Sequence, residues 1–230
     1  MILYTVPTPL GGTPQDALAG GALDIVRGLR DFVAENPRTA RAFLSAVGMP
    51  LPLREISIAT LDEHTKEIDG LLQPLREGRK LGLVSEAGCP AIADPGAALV
   101  EAAHREGFRV APLIGPSALV LALMASGLEG QRFAFCGYLP REAEARTRRL
   151  RELEQRSRRE RETEIFIETP YRNDALFAAT LEACAADTRL CVAADLTLAS
   201  ESIATRTVAQ WRAARAPIGR RPAVFLLQAA

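Results

Sequence analysis

The chain has 230 residues, 48% of them hydrophobic and 24% charged. That length can bury the core of one large domain or two small ones, and the composition is that of an ordinary globular protein. Lysine plus arginine and aspartate plus glutamate both number 28, so the formal net charge is zero. This argues against a strongly basic nucleic-acid binder and leaves room for a local basic patch.

Four cysteines occur, Cys89, Cys136, Cys184 and Cys191, with no CxxC pair, and the chain has two histidines. A Cys/His metal site is not expected, and metal ligands are predicted to be none. The opening MILYTVPTPLGG has neither a basic start nor a long apolar core, so it does not read as a signal peptide. The most apolar stretch, Val110 to Leu128, is interrupted by Gly115-Pro116-Ser117 and reads as strand, loop and buried helix rather than a membrane span. A cytoplasmic protein with reduced thiols and no membrane contact is the expectation.

Taken in order, Met1 to Val6 is a strand ending in the Pro/Gly loop Pro7 to Gly12. Thr13-Pro14 starts a helical pattern through Leu18, Leu23, Val26 and Leu29. Asp31 to Ala34 is a short strand, and Asn36-Pro37 reads as N-cap and first helical turn of a helix that Gly48 ends. Leu51 to Ile58 is weakly β-like, and a helix is predicted from about Thr60 to Arg76. The apolar run Leu81 to Val84 breaks into Ser85-Glu86-Ala87-Gly88-Cys89-Pro90. Asp94 is then expected to cap a helix with Pro95 as its first residue. Phe108 to Ile114 is a strand, Gly115 to Ala118 a ligand-type turn, and Leu119 to Ser126 a helix.

Arg132 to Cys136 is a strand followed by the loop Gly137-Tyr138-Leu139-Pro140, and Arg141 to Glu162 is a densely charged helix. Glu164 to Glu168 is a strand ending in Thr169-Pro170-Tyr171-Arg172, followed by a helix to about Ala186. Leu190 to Ala194 is a strand ending at Asp195-Leu196-Thr197. Ser202 to Thr207 reads as a strand, Val208 to Ala214 as a short helix, and Ala223 to Leu227 as the last strand.

The first half alternates strand and helix, which favours a parallel sheet; the second half has more strands per helix, which favours a mixed one. The fold class is therefore α/β, with two α/β lobes, residues 1–115 and 116–230, and a ligand cleft between them. Gly127 to Gln131 is the other candidate boundary. Ligands are expected at the C-terminal ends of the strands, where backbone can be approached closely over small residues.

Several loops in order resemble one family. These are Pro7-Thr8-Pro9-Leu10-Gly11, Ala34-Glu35-Asn36-Pro37-Arg38-Thr39, and Ser85 to Pro90 with Asp94-Pro95-Gly96. Gly115-Pro116-Ser117-Ala118, Gly137 to Pro140, and Glu168-Thr169-Pro170-Tyr171-Arg172 continue the series. The chain resembles the tetrapyrrole methylase superfamily over nearly its whole length, and within it the subgroup of small-subunit rRNA 2′-O-ribose methyltransferases. No GxGxxG follows a strand, which agrees with a methyltransferase outside the Gly-rich Rossmann class. The sequence departs from the family pattern at Glu86 for Asp, Cys89 for Thr, Asn36-Pro37 for Asp-Thr, and Leu198 for the lysine of Glu-Leu-Thr-Lys.

The resemblance implies S-adenosylmethionine (SAM) as cofactor, a homodimer, and RNA of the small ribosomal subunit as partner. It implies SAM contacts from Pro9, Ser85, Glu86, Ala87, Gly88, Cys89 and Pro90, from Ser117 and Ala118, and from Tyr138, Leu139 and Leu196. Methyl transfer is an in-line displacement, and a hydroxyl acceptor needs a base as its proton leaves. Candidate bases are Glu35, Glu63, His64, Glu168 and Glu201; the resemblance favours Glu35 with Arg38, and Glu168 lies at a strand end. The plain alternatives are a turn glycine at 88, a helix-start acid at 35, a surface arginine at 38 and a solvated helix face at Glu63-His64. Two other readings stay open. One is a small acceptor such as a tetrapyrrole, favoured by zero net charge and by a chain that ends soon after its last strand. The other is SAM binding without catalysis.

Overall fold

The structure is a computed structural model that describes the whole chain except Glu63, Lys66 and Arg215. It divides into two units, Met1–Ser117 and Ala118–Ala230. The first holds strands β1 (Ile2–Val6), β2 (Asp31–Ala34), β3 (Ser57–Thr60), β4 (Leu81–Val84) and β5 (Arg109–Pro112). Its helices are α1 (Pro14–Ala17), α2 (Gly20–Arg27), α3 (Pro37–Val47), α4 (Gln73–Arg76) and α5 (Gly96–Arg105). The strands pair in parallel in the order β3-β2-β4-β1-β5.

Parallel strands covered on both faces read as continuous apolar runs, and β2 and β4 are buried at every position. Alternate side chains serve different layers. Val6, Phe32, Ala34 and Val84 pack with Leu23, Val26, Phe43 and Leu44 of α2 and α3. Leu3, Val33, Leu81 and Leu83 pack with Leu75 of α4 and with Leu99, Ala102 and Ala103 of α5. So β1 sends its helices to one face and β4, its neighbour, sends α5 to the other. Such a reversal opens a crevice at the C-terminal ends of the two strands, where α/β sheets bind ligands.

The second unit comprises α6 (Ala118–Ser126), β6 (Phe133–Tyr138), α7 (Ala143–Glu160), β7 (Thr163–Ile167), α8 (Asn173–Ala183), β8 (Arg189–Ala194), β9 (Ser202–Thr207), α9 (Val208–Ala213) and β10 (Ala223–Gln228). Strand order is β6-β7-β10-β8-β9; the β6–β7 pair is parallel and the other three are antiparallel. This is the mixed sheet the second half predicts. Leu150, Leu153, Leu176, Phe177 and Trp211 of α7, α8 and α9 pack on Phe166, Leu190, Val192 and Phe225. Helix α6 is apolar nearly all round; Thr205 Oγ1 of β9 donates to its Ser126 carbonyl at 2.6 Å. Among the described residues no helix is long and apolar enough to cross a membrane.

Four local expectations are corrected. The helix over 60–76 is absent as a single element. Thr60 ends β3, and among the described residues of this stretch only a 3-10 turn at Asp69–Leu72 and the four-residue α4 are helical. Asp62 is the reason: its Oδ1 accepts from the His64 N–H at 3.0 Å and from Thr65 Oγ1 at 2.7 Å, a local turn that competes with helix. The pattern after Thr13 is two helices, α1 and α2. Pro95 rather than Asp94 is the N-cap of α5, whose first residue is Gly96. Tyr138 is not in the loop after the strand but ends β6 beyond a bulge, where Gly137 takes φ 66°.

Candidate functional site

The loops after β1 and β4 diverge to opposite faces and yet are stitched together. The Thr8 N–H donates to the Gly88 carbonyl at 2.9 Å, and the Gly88 N–H donates to the Thr8 carbonyl at 3.1 Å. Ser85 Oγ also donates to the Gly88 carbonyl, at 2.6 Å. That uses the serine proton, so the 3.3 Å contact between the Thr8 and Ser85 hydroxyls has Thr8 as donor. Thr8, Ser85 and Gly88 are all buried, so these bonds are shielded from water.

The loop after β5 joins the same cluster. Cys89 Sγ donates to the Pro116 carbonyl at 3.3 Å. A Cβ on Gly115 would lie 2.4 Å from Pro7 Cβ, so the backbones of these two loops approach as closely as glycine allows. Gly88 has φ 75°, and a Cβ there would sit 3.2 Å from Leu10 Cδ2 and 3.4 Å from the Pro116 carbonyl. Gly88 is thus the point where three strand-end loops meet. Its own polar groups are committed to Thr8 and Ser85, so it shapes the site rather than donating to a ligand. The main chain of Ala87 and of Cys89 makes no hydrogen bond among the described residues, and Ala87 is exposed.

Further along, Ala91 and Ala93 take φ 64° and 61°, a left-handed conformation unusual for alanine. The Asp94 carboxylate holds that bend, accepting from the N–H groups of Ala91 and Gly96 at 2.8 Å each. Burial pushes its carboxyl above the usual range despite these two donors.

At the end of β2, Asn36 Oδ1 accepts from the Arg38 N–H at 3.0 Å and caps α3 as the sequence predicts. Glu35 and Arg38 are exposed there. Thr39 Oγ1 donates to a carboxylate oxygen of Glu86, linking α3 to the β4 loop. The first unit therefore brings Pro9, Ser85, Glu86, Ala87, Gly88, Cys89 and Pro90 to adjacent strand ends. Ser117 closes the unit half-buried. Thr8 and Thr39 were not singled out from sequence. Their position is the available signal, a hydroxyl residue at the end of a strand or in the first turn of a helix.

In the second unit, Glu168 is buried and fully engaged. Its oxygens accept from the Thr169 N–H at 2.7 Å, from Thr169 Oγ1 at 3.1 Å, and from the Arg172 guanidinium. Leu139 and Leu196 are buried, Leu139 within the core of this unit. Tyr138 is exposed, and Ala118 is the first residue of α6. The loop after β8 is tightly bent, with Asp195 at φ 53° and Thr197 at φ 73°. Ser200 Oγ donates to Asp195 at 2.9 Å, and Glu201 accepts from the Thr197 N–H at 2.8 Å. Of the remaining candidate bases, His64 is exposed in the Asp62 turn, and Glu63 lies outside the described residues.

The cysteines are poor nucleophiles. Burial pushes Cys184 up to about 12, and burial together with the Glu164 carboxylate pushes Cys136 up to about 11. Burial also raises Cys89 and Cys191. A thiol whose pKa lies above the ordinary value carries less thiolate at pH 8. Native protein at pH 8 is therefore expected to react with a thiol reagent more slowly than free cysteine, with all four thiols released by denaturant. Rapid native labelling of Cys89 would contradict this.

No family model matches the chain. A Bacillus subtilis protein named ribosomal RNA small subunit methyltransferase I is 33% identical over 211 residues, covering 91% of this chain and 68% of its own length. The chain belongs to the ribosomal RNA small subunit methyltransferase I family. A Pseudomonas aeruginosa member is 32% identical over 90% of this chain and 71% of its own length. A Halalkalibacterium halodurans member is 37% identical over 74% of this chain, and there the match spans only 56% of that relative's length. Among solved structures, the methyltransferase CobJ aligns over 100% of this chain and 93% of its own, with TM-score 0.64 at 20% identity. Cobalt precorrin-4 methyltransferase CbiF aligns over 99% and 94%, with TM-score 0.63 at 16% identity. At these identities the likeness is one of fold, the tetrapyrrole methylase fold that the sequence resemblance implies.

Proposed function

We propose that this family member transfers a methyl group from SAM to a ribose 2′-hydroxyl in RNA of the small ribosomal subunit. The observation that carries the reading is the Thr8–Gly88 interlock at the point where β1 and β4 send their helices to opposite faces. It builds a small-residue floor in a chain whose relatives are named ribosomal RNA small subunit methyltransferases.

The residues at that floor fit SAM. The exposed main chain at Ala87 and the half-buried Cys89 present uncommitted polar groups over small side chains, as close approach to a ligand requires. The carboxylates of Glu35 and Glu86, on adjacent strand ends, complement a cation. When bound, SAM supplies an electrophilic methyl on a sulfonium. Glu35 is the base that accepts the ribose proton as the new O–C bond forms, because it is exposed, whereas Glu168 is buried and held by three donors. Glu168 acts instead as a positioning residue that aims Arg172. Arg38, fixed at the first turn of α3 by Asn36, faces the phosphate beside the target ribose.

The test is labelled SAM with the protein and a cell extract lacking its activity, fractionated into RNA, protein and small molecules. Label in RNA is the expected result; label in small molecules alone, or none at all, overturns the reading. Glu35→Gln is expected to lower kcat by about 10²-fold or more, because a positioned base contributes about 10²–10⁴-fold, with a smaller loss of SAM affinity from the removed carboxylate charge. Unchanged kcat in that variant would remove Glu35 from the base role.

A further inference from the structure

Helix α7 carries arginine in excess over glutamate, and part of that charge is committed; Arg146 and Arg158 donate to the carbonyls of Arg141 and Ala230. Arg149 pairs with Glu152 at 3.2 Å and Arg159 with Glu160 at 2.7 Å. Arg156 is bound to Glu162 and to the buried Glu164. Glu154 is turned inward, where it accepts from the Ala185 N–H at 2.7 Å and from Thr188 Oγ1. The glutamates interleaved along the sequence therefore do not neutralise the helix uniformly. Among the described residues no carboxylate lies within ion-pair distance of Arg148 or Arg151, and both are exposed.

These two arginines share one shallow, solvent-open groove along α7 with Ala143, Glu144, Thr147, Glu152 and Gln155. Residues 144, 148, 151 and 155 recur at helical spacing on a flank beside the buried stripe of Leu150, Leu153 and Ser157. Arg148 and Arg151 are three apart and thus neighbours on the helix surface. Thr147 and Gln155 add neutral donors. Of the two acids, Glu152 is engaged by Arg149, and Glu144 occupies the first turn, where the helix terminus favours a carboxylate. The groove therefore offers two guanidinium groups with no ion-pair partner among the described residues, beside two carboxylates, and no aromatic residue.

We infer that this α7 groove binds the phosphate backbone of the RNA substrate, with Arg148 and Arg151 as its charged contacts. The inference rests on RNA being the methyl acceptor. Guanidinium groups match phosphate oxygens in fork geometry, and the absence of an aromatic platform assigns the groove to backbone rather than base contact. It supplies affinity and orientation, with no sequence preference of its own.

The test measures binding of fluorescent small-subunit RNA to the full chain across a salt series, for wild type, for Arg148→Gln/Arg151→Gln, and for Arg159→Gln. The last removes one positive charge from an ion-paired position outside the groove. The double variant is expected to bind more weakly on every RNA sequence tried, with the slope of log affinity against log salt reduced by about 2, roughly one per lost phosphate contact. Arg159→Gln is expected to leave the slope at the wild-type value. All three proteins should share one thermal transition and one SAM affinity, since the side chains are exposed. An unchanged slope in the double variant overturns the inference, as does an equal effect of Arg159→Gln. Competition by an acidic polypeptide as strong as that by RNA overturns it too, and makes a protein the partner. If RNA is methylated and the double variant still binds normally, the groove assignment fails while the proposed reaction stands. If wild type neither binds nor methylates RNA, the proposed function fails with it.

Discussion

Gly88→Val is expected to reduce methyl transfer by at least about 10²-fold while the protein remains folded, because displacing a positioning loop by about 1 Å can cost that much. Two effects combine. Gly88 sits at φ 75°, where an L-residue costs about 1–2 kcal/mol and a β-branched one more. Its new Cβ would stand 3.2 Å from Leu10 Cδ2 and 3.4 Å from the Pro116 carbonyl, with two methyl groups beyond it. The loop must shift, and the shift breaks the paired bonds to Thr8. Calorimetric titration with SAM should show the affinity lost, and circular dichroism should show secondary structure kept, since the second unit has its own core. Wild-type SAM affinity in this variant would mean that the loop does not contact the cofactor.

The second large effect falls on stability. A methyl group on Gly115 would lie 2.4 Å from Pro7 Cβ, 2.7 Å from Pro7 Cγ and 2.9 Å from Leu18 Cδ2. The proline ring is tied to the backbone and cannot swing away. Gly115→Ala is therefore expected at the upper end of overpacking costs, about 3 kcal/mol, a fall of roughly 6–12 °C in Tm. Pro7→Gly removes both obstructing ring atoms. The double variant should accordingly be less destabilised than the two single changes summed. Strict additivity, measured by thermal denaturation, would contradict the proposed contact.

Much of the architecture is legible in the sequence because punctuation and periodicity agree. Leu81 to Val84 is short, wholly apolar and bounded by a small-residue loop, and it is the strand buried on both faces. Asn36-Pro37 announces the start of α3, and Gly48 at φ 76° ends it. Thr207 with Gln210 forms the capping box of α9, so the strand-to-helix change at Val208 is also local. Where the outcome depends on side-chain hydrogen bonds, local pattern misleads. Leu61, Ile68, Leu72 and Leu75 suggest one helix, but the Asp62–Thr65 turn diverts the chain.

The candidate site was legible as a set of loops and not as a set of roles. Sequence order says that the loops after β1 and β4 matter; only the strand order β4-β1-β5 makes them neighbours. Gly88 reads as a glycine that a ligand approaches, and the fold shows it consumed by contacts to Thr8 and Ser85. Glu168 reads as a candidate base, and the fold buries it against Arg172. Asp195 and Thr197 carry no glycine or proline to advertise their left-handed backbone. In each case the deciding partner is distant in sequence or lies in the backbone, where residue type alone says little.

The most direct test of the account is to methylate purified small ribosomal subunits with labelled SAM, digest the RNA to nucleosides and separate the products. The account predicts label in a 2′-O-methylated nucleoside, lost with Gly88→Val. Label confined to methylated bases, or absent from RNA while wild-type protein binds SAM, would contradict it.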